Sequence, residues 1–212
     1  MTGSELKTLS TIFLGGNSLD DDFFYTYINA IKNMFEVSRD WVILRNFDNS
    51  ITFTASDDYT STKSLPSRFL RTYAPYNSRN NEQTGVYIVD SNGSKMPLKP
   101  IAFADRYNYK DTDGYYYLDM KNSKIGRTGS KAGTLHLFFL QGTSDISESS
   151  TWEFPEFVHP YLPYLIAMDH KGGIDWDTVN ANQVPYNQTR INQILSTANM
   201  WDSRLQLAEL GV

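Results

Sequence analysis

The residues of this chain that could do chemistry are few and scattered. Asp111-Thr112-Asp113-Gly114 has the spacing of half a calcium loop, in which alternate carboxylates converge on a hard cation. Tyr109 holds the place of the first ligand, however, and no glutamate closes the loop, so the segment reads as an Asp-Gly turn. Gly126 to Gly133 is glycine-rich and carries Lys131, yet it lacks the residue order of a phosphate-cradling loop and precedes a strand pattern. It reads as a flexible turn. His136, His159 and His170 lie far apart, and none has a metal-type partner at helical spacing. No nucleophile elbow supports a Ser-His-Asp arrangement. Asp20, Asp21 and Asp22 read as a solvated helix start rather than a cation site. The residues therefore point to a non-enzymatic protein with no catalytic residue, no cofactor and no metal.

Composition narrows the class. Of 212 residues, 40% are hydrophobic and 14% aromatic, enough to build a real core. The net charge of −5 comes from 24 acids against 19 bases with no basic stripe, which argues against a dedicated nucleic-acid binder. With no cysteine, a disulfide framework and a Cys-based zinc site are both excluded. Met1 to Leu14 has neither a basic start nor a sustained apolar stretch, so export by a signal peptide is disfavoured. Asn92-Gly93-Ser94 and Asn187-Gln188-Thr189 then match glycosylation acceptors by coincidence. No apolar run reaches membrane-spanning length, and no membrane partner is expected.

The elements that would position these residues follow from periodicity. A helix is expected over Glu5 to Phe13, ended by Gly15-Gly16, and a second from a Ser18/Asp21 capping box to about Asp40, with Phe24, Tyr27, Ile28, Ile31, Met34 and Phe35 on one wide apolar face. At Trp41 the pattern changes. Trp41 to Leu44 and Ile51 to Thr54 read as a hairpin, as do Val86 to Val89 and Lys95 to Leu98 around Asn92-Gly93. Tyr115 to Met120, Lys124-Ile125 and Thr134 to Leu140 read as a further meander, and Asn77 to Gln83 as a mobile loop. A helical segment follows Trp152, kinked or started late by Pro160 and Pro163 and closed by Gly172-Gly173. From Pro185, the stripe Ile191, Ile194, Leu195, Ala198, Trp201, Leu205 and Ala208 marks a long terminal helix, expected to pack on the Phe24 to Phe35 helix. The fold class is α+β: a single domain, residues 1–212, with a helical core from 1–40 and 152–212 and a large antiparallel β-rich excursion over 41–150.

The aromatic residues are candidates for contact. Tyr115-Tyr116-Tyr117 in a strand must alternate between sheet faces, which would leave at least one ring outward for a partner. On the last helix and chain end, Trp201, Arg204 and Leu207 are the candidate interface residues, with core packing as the plainer reading of Trp201.

Taken in order, Trp41-Val42-Ile43-Leu44-Arg45, Ile51-Thr52-Phe53-Thr54, Leu65-Pro66-Ser67-Arg68-Phe69, Trp152-Glu153-Phe154-Pro155 and Met200 to Leu207 resemble tailed-bacteriophage structural proteins, in particular the head–tail adaptor (connector, neck) family. The β middle is larger than in the smallest, nearly all-helical adaptors. The resemblance implies a virion protein made in the host cytoplasm and placed at the head–tail interface. It implies self-association into a ring, twelvefold in such necks, and binding to the portal protein and to a stopper, tail-tube or other neck protein. Double-stranded DNA would pass through without specific binding, which suits the acidic balance. The other reading is a tail-tip or host-binding module that recognises a surface glycan or receptor.

Overall fold

A computed structural model describes residues 1–74, 85–169 and 183–209, excepting the side chains at 168–169, 183–187 and 207–209. Helices from both ends and strands from the middle make an α+β protein. The chain divides into a helical unit, Met1–Ile43 with Thr143–Val212, and a β unit, Leu44–Gly142. The expected loop over Asn77 to Gln83 and the Gly172-Gly173 stop lie outside the described residues.

In the helical unit, α1 (Gly3–Phe13) starts from a capping box: the Thr2 hydroxyl accepts from the Glu5 amide, and the Glu5 carboxylate accepts from the Thr2 amide at 2.7 Å. A side chain at Gly3 would not fit, because a Cβ there would lie 2.1 Å from the Ser147 carbonyl oxygen. For α2 (Asp21–Val37) the cap is Asp20 rather than Ser18. Its carboxylate accepts from the amides of Asp22 and Phe23, which leaves Asp21 and Asp22 in the first turn, where the helix dipole favours acids. α3 (Tyr161–Asp169) starts just after Pro160 and takes Pro163 into its first turn, where the missing N–H has no helical partner to lose. α4 (Gln183–Glu209) buries Ile191 and Ala198. It packs chiefly on α3 and on a 3-10 turn at Glu156–Val158, not on α2 as its stripe suggests, while α3 also contacts α1 and α2.

Aromatic rings fill the core of this unit. Phe35 stacks on Trp41 at 4.8 Å and meets Trp152 and Phe154 edge-on, each at 5.3 Å. Three buried charged side chains then fix the backbone around it. Glu36 accepts from the Thr143 amide at 3.1 Å, from the Thr143 hydroxyl and from Trp152 Nε1 at 3.0 Å. Lys32, one turn earlier, lies 3.9 Å from Glu36 and donates to the carbonyls of Thr143 and Ser144, both at 3.1 Å. Asp202, fully buried on α4, accepts from the Val42 amide at 2.7 Å and from Arg39 Nε at 3.1 Å. The helical unit thus grips the chain both where it departs for the β unit and where it returns.

In the β unit, β10 (Gly133–Gln141) is the organising strand, paired antiparallel with β1 (Arg45–Asp48), β2 (Thr52–Phe53), β4 (Phe69–Thr72) and β5 (Val86–Val89). β5 and β6 (Lys95–Pro97) form the hairpin that Asn92-Gly93 announces, with Gly93 at φ 78°. The second sheet runs β3 (Thr62–Ser64), β9 (Lys124–Arg127), β8 (Tyr115–Asp119), β7 (Lys99–Pro100), the last pair parallel. Leu135, Leu137, Phe139, Val86 and Ile88 of the first sheet close on Tyr116 and Ile125 of the second. Two expected pairings are corrected. Trp41 is buried in the helical unit and Val42–Leu44 is a 3-10 turn, so β1 begins only at Arg45, and β1 and β2 pair with β10 instead of with each other. The meander also breaks after β9, because β10 joins the other sheet.

Glu36→Ala should lower stability by about 3 kcal/mol, since it removes one of the two carboxylates beside the buried Lys32 ammonium, leaving only the exposed Asp145 at 3.5 Å, and takes the acceptor from the Thr143 amide. Ile191→Ala should cost about 2–5 kcal/mol through lost burial and a residual cavity. Urea unfolding measures both, and a Glu36→Ala midpoint equal to that of the parent would mean the clamp does not hold the return segment.

Candidate interaction surfaces

Tyr115, Tyr116 and Tyr117 alternate across β8 as a strand requires, but both faces are covered. Tyr116 is in the intersheet core with its hydroxyl 3.2 Å from Thr72 Oγ1, and burial raises its pKa. Tyr117, 1% exposed, lies on the other face beneath Phe103, with its hydroxyl donating to the Tyr59 carbonyl. The 3-10 segment Phe103–Tyr107 provides that cover. Only Tyr115 is half-open, and it leans on Tyr109 at 4.6 Å. The outward-ring expectation therefore fails for Tyr116 and Tyr117. In the helical unit, Trp201 is half-buried edge-on to Phe157 at 6.3 Å, and Arg204 is exposed. The side chain of Leu207 lies outside the described residues, as does His170.

The segments with chemical residue types are used to build loops. Asp113 accepts from the amides of Ser130 and Lys131 at 2.9 and 3.0 Å, tying the Asp-Gly turn to the glycine-rich stretch, while Asp111 points outward. That stretch is a turn only over 128–132. Gly126 and Arg127 belong to β9, and a Cβ on Gly126 would strike the Tyr117 ring. Arg127 is buried, with its guanidinium donating to the carbonyls of Thr54, Asp57, Thr128 and Gly129. Asp57, beside it, has its carboxyl held down at about 2 by the Thr54 amide and by Lys63. His159 is fully buried. Its Nδ1 lies 2.9 Å from the Met1 amine and its Nε2 2.7 Å from the Phe154 carbonyl, so the neutral ring accepts at Nδ1 and donates at Nε2.

Three surfaces present exposed side chains among the described residues. The first is the outer face of α2. Phe23, Tyr27, Ala30, Met34 and Val37 recur at alternating steps of four and three, the spacing at which one helix presents a seam to another. Met34 is 71% exposed and Val37 47%, and no charged side chain is exposed between Phe23 and Val37, because Lys32 and Glu36 turn inward. The second is the outer face of α4, an open trough of about 610 Å³ lined by Asn192, Leu195, Ser196, Asn199, Met200 and Arg204 among others. Leu195 is half-buried here rather than a core residue. The third is the outer face of the first sheet of the β unit, where Phe47 packs on Phe138 at 4.8 Å and His136 lies 4.9 Å from Tyr87. Arg45 and Lys95 sit over the Tyr73 and Tyr87 rings at 5.3 and 5.5 Å. Burial, then Lys95, lowers the His136 pKa.

The α2 seam was readable in the sequence, where Phe23 and Met34 stand one place away from the core positions Phe24 and Phe35. The pull of assigning every large apolar residue to one wide core face concealed it. No family model matches the chain, and no curated protein matches it significantly.

Burial pushes the His159 pKa below its ordinary 6.5, so the unfolded chain binds this proton more readily than the folded one. The stability that the neutral ring contributes is complete above pH 6.5 and drains away as pH falls below it. Urea titrations between pH 7.5 and 5 should show that decline, and His159→Gln should flatten it. An equally steep decline in His159→Gln would assign the dependence to other groups.

Proposed function

We propose that this protein is a structural component of a phage virion, a head–tail adaptor whose work is association rather than turnover. Two things support the reading. The five sequence segments that resemble the adaptor family include Trp41, Trp152 and Phe154, and these pack into one cluster around Phe35. The observation that carries it is the uncharged outer face of α2, where Ala30, Met34 and Val37 are exposed, which suits docking of a second helix and has no use in binding a small substrate. In this role copies assemble into a ring, twelvefold in the family it resembles, beneath the portal and above a stopper or tail-tube protein. The net charge of −5 would let the duplex pass without gripping it.

The aromatic outer sheet face favours a second reading. Phe47, Phe138, Tyr87 and His136 form a platform of the kind on which a sugar ring of a surface glycan could stack, as a tail-tip or host-binding module would require.

Light scattering on the protein alone and after mixing with its portal separates the two. The adaptor reading expects a monomer or small oligomer alone and a ring-sized complex on the portal, visible by cryo-EM as a rotationally symmetric layer. Absence of any portal complex, together with glycan binding that Phe47→Ala abolishes, would replace the adaptor with the receptor module.

A further inference from the structure

We infer that the outer face of the first sheet of the β unit binds an acidic saccharide, a pyranose that lays its C–H face on the rings of Phe47 and Phe138 while its carboxylate meets the Lys95 ammonium. The inference deepens the glycan reading of that platform and rests on it; ring assembly is neither required nor forbidden. The strand registers put the residues that carry it on one face, with Phe47 opposite Phe138, Tyr87 opposite His136, and Lys95 one strand further out, opposite Val89.

The rings form one cluster. Phe47 lies 4.8 Å from Phe138 and 5.3 Å from His136, and Tyr87 lies 4.9 Å from His136, so the aromatic surface runs across three strands, about 10 Å. Phe47 is 40% exposed, and the other three rings are half-buried. Among the described residues, neither the Tyr87 hydroxyl nor the His136 imidazole has a hydrogen-bond partner. Burial, then Lys95, keeps His136 neutral near pH 7, so phenol and imidazole each offer a donor and an acceptor. A sugar presents the complement, an apolar C–H face rimmed by hydroxyls.

Charge decides the kind of sugar. No described position on this face is an Asp or Glu, in a chain whose net charge is −5. Lys95 is exposed, lies over the Tyr87 ring at 5.5 Å and forms no ion pair among the described residues. Asp90, in the same hairpin, holds Lys131 at 2.9 Å instead. A ring contact leaves the ammonium its charge and its donors. Arg45 and Arg71, opposite Leu140 at the other end of the face, have contacts of their own and take no part. A single strand of nucleic acid fits less well. It asks for rings spaced along a track with several cations beside its phosphates, whereas these rings are gathered in one place beside one lysine.

An array of microbial saccharides tests the class on the full chain, with uronic-acid glycans printed beside neutral and phosphate-substituted ones. Calorimetry then compares the best-bound uronate with its uncharged methyl ester. The carboxylate form should bind about two- to fivefold more tightly, as for an exposed ion pair, and the preference should fade at high salt. Lys95→Gln should remove that preference and Lys95→Arg should keep it, while Phe47→Ala should abolish binding of both forms. All three substitutions fall on exposed positions, and a melt matching the parent's shows the fold intact. Equal binding of acid and ester, unmoved by Lys95→Gln, overturns the acidic preference and leaves the glycan reading standing. An array on which no saccharide binds removes both. A preference for phosphate-substituted glycans overturns the carboxylate, and tighter binding of oligothymidylate than of any saccharide overturns the sugar in favour of a nucleic acid.

Discussion

Lys32 and Glu36 lie side by side on one turn of α2, 1% and 0% exposed, and neither charge would survive burial on mutual attraction alone. An ion pair taken out of water loses more hydration than it gains in Coulomb energy unless further hydrogen bonds complete both groups. Here they do. The carboxylate takes the Thr143 amide and hydroxyl and the Trp152 indole, and the ammonium takes the Thr143 and Ser144 carbonyls and lies 3.5 Å from the Asp145 carboxylate. Each partner is a group of the returning chain, and Thr143 and Trp152 are themselves buried. The same turn carries Phe35 into the aromatic cluster, so the position of the return segment and the packing of the core are set by one stretch of helix.

What α2 spends inward decides what it shows outward. With Phe24, Ile28, Ile31, Lys32, Phe35 and Glu36 all turned to the core, its only charged residues between Phe23 and Val37 are consumed, and the outer face is left uncharged. Arg127 acts comparably in the β unit. Its guanidinium gathers four carbonyls from two loops, a task for a planar fork with donors in fixed directions rather than for the point charge of a lysine.

Amphipathic periodicity made α1, α2 and α4 legible in the sequence, and Asn92-Gly93 did the same for the β5–β6 hairpin, because each depends on neighbours a few residues away. What escaped depends on partners far along the chain. Arg45 pairs with Leu140 and Thr52 with Thr134, so the run Trp41 to Thr54 looks like a hairpin only while β10 is out of view. Lys32, Glu36, Arg127 and Asp202 are buried, and nothing in the residues beside them says so. The same blindness affected the candidate contacts. Alternation correctly put Tyr116 and Tyr117 on opposite faces, but the 3-10 segment that roofs Tyr117 is not a feature of the strand's own sequence.

The pairing of β10 with four other strands has a consequence for how the protein is made. β1, β2, β4 and β5 all precede it, and none of these four pairs with another of them. During synthesis they leave the ribosome with open edges, and at about 5–20 residues per second the wait between β1 and the end of β10 is on the order of ten seconds. In that interval the nascent β unit exposes apolar strands with unpaired amides, the state in which edge-to-edge association between neighbouring chains competes with folding. The yield of soluble protein should thus be governed by translation speed through the segment before Gly133 and by chaperone occupancy, more than by the stability of the finished fold.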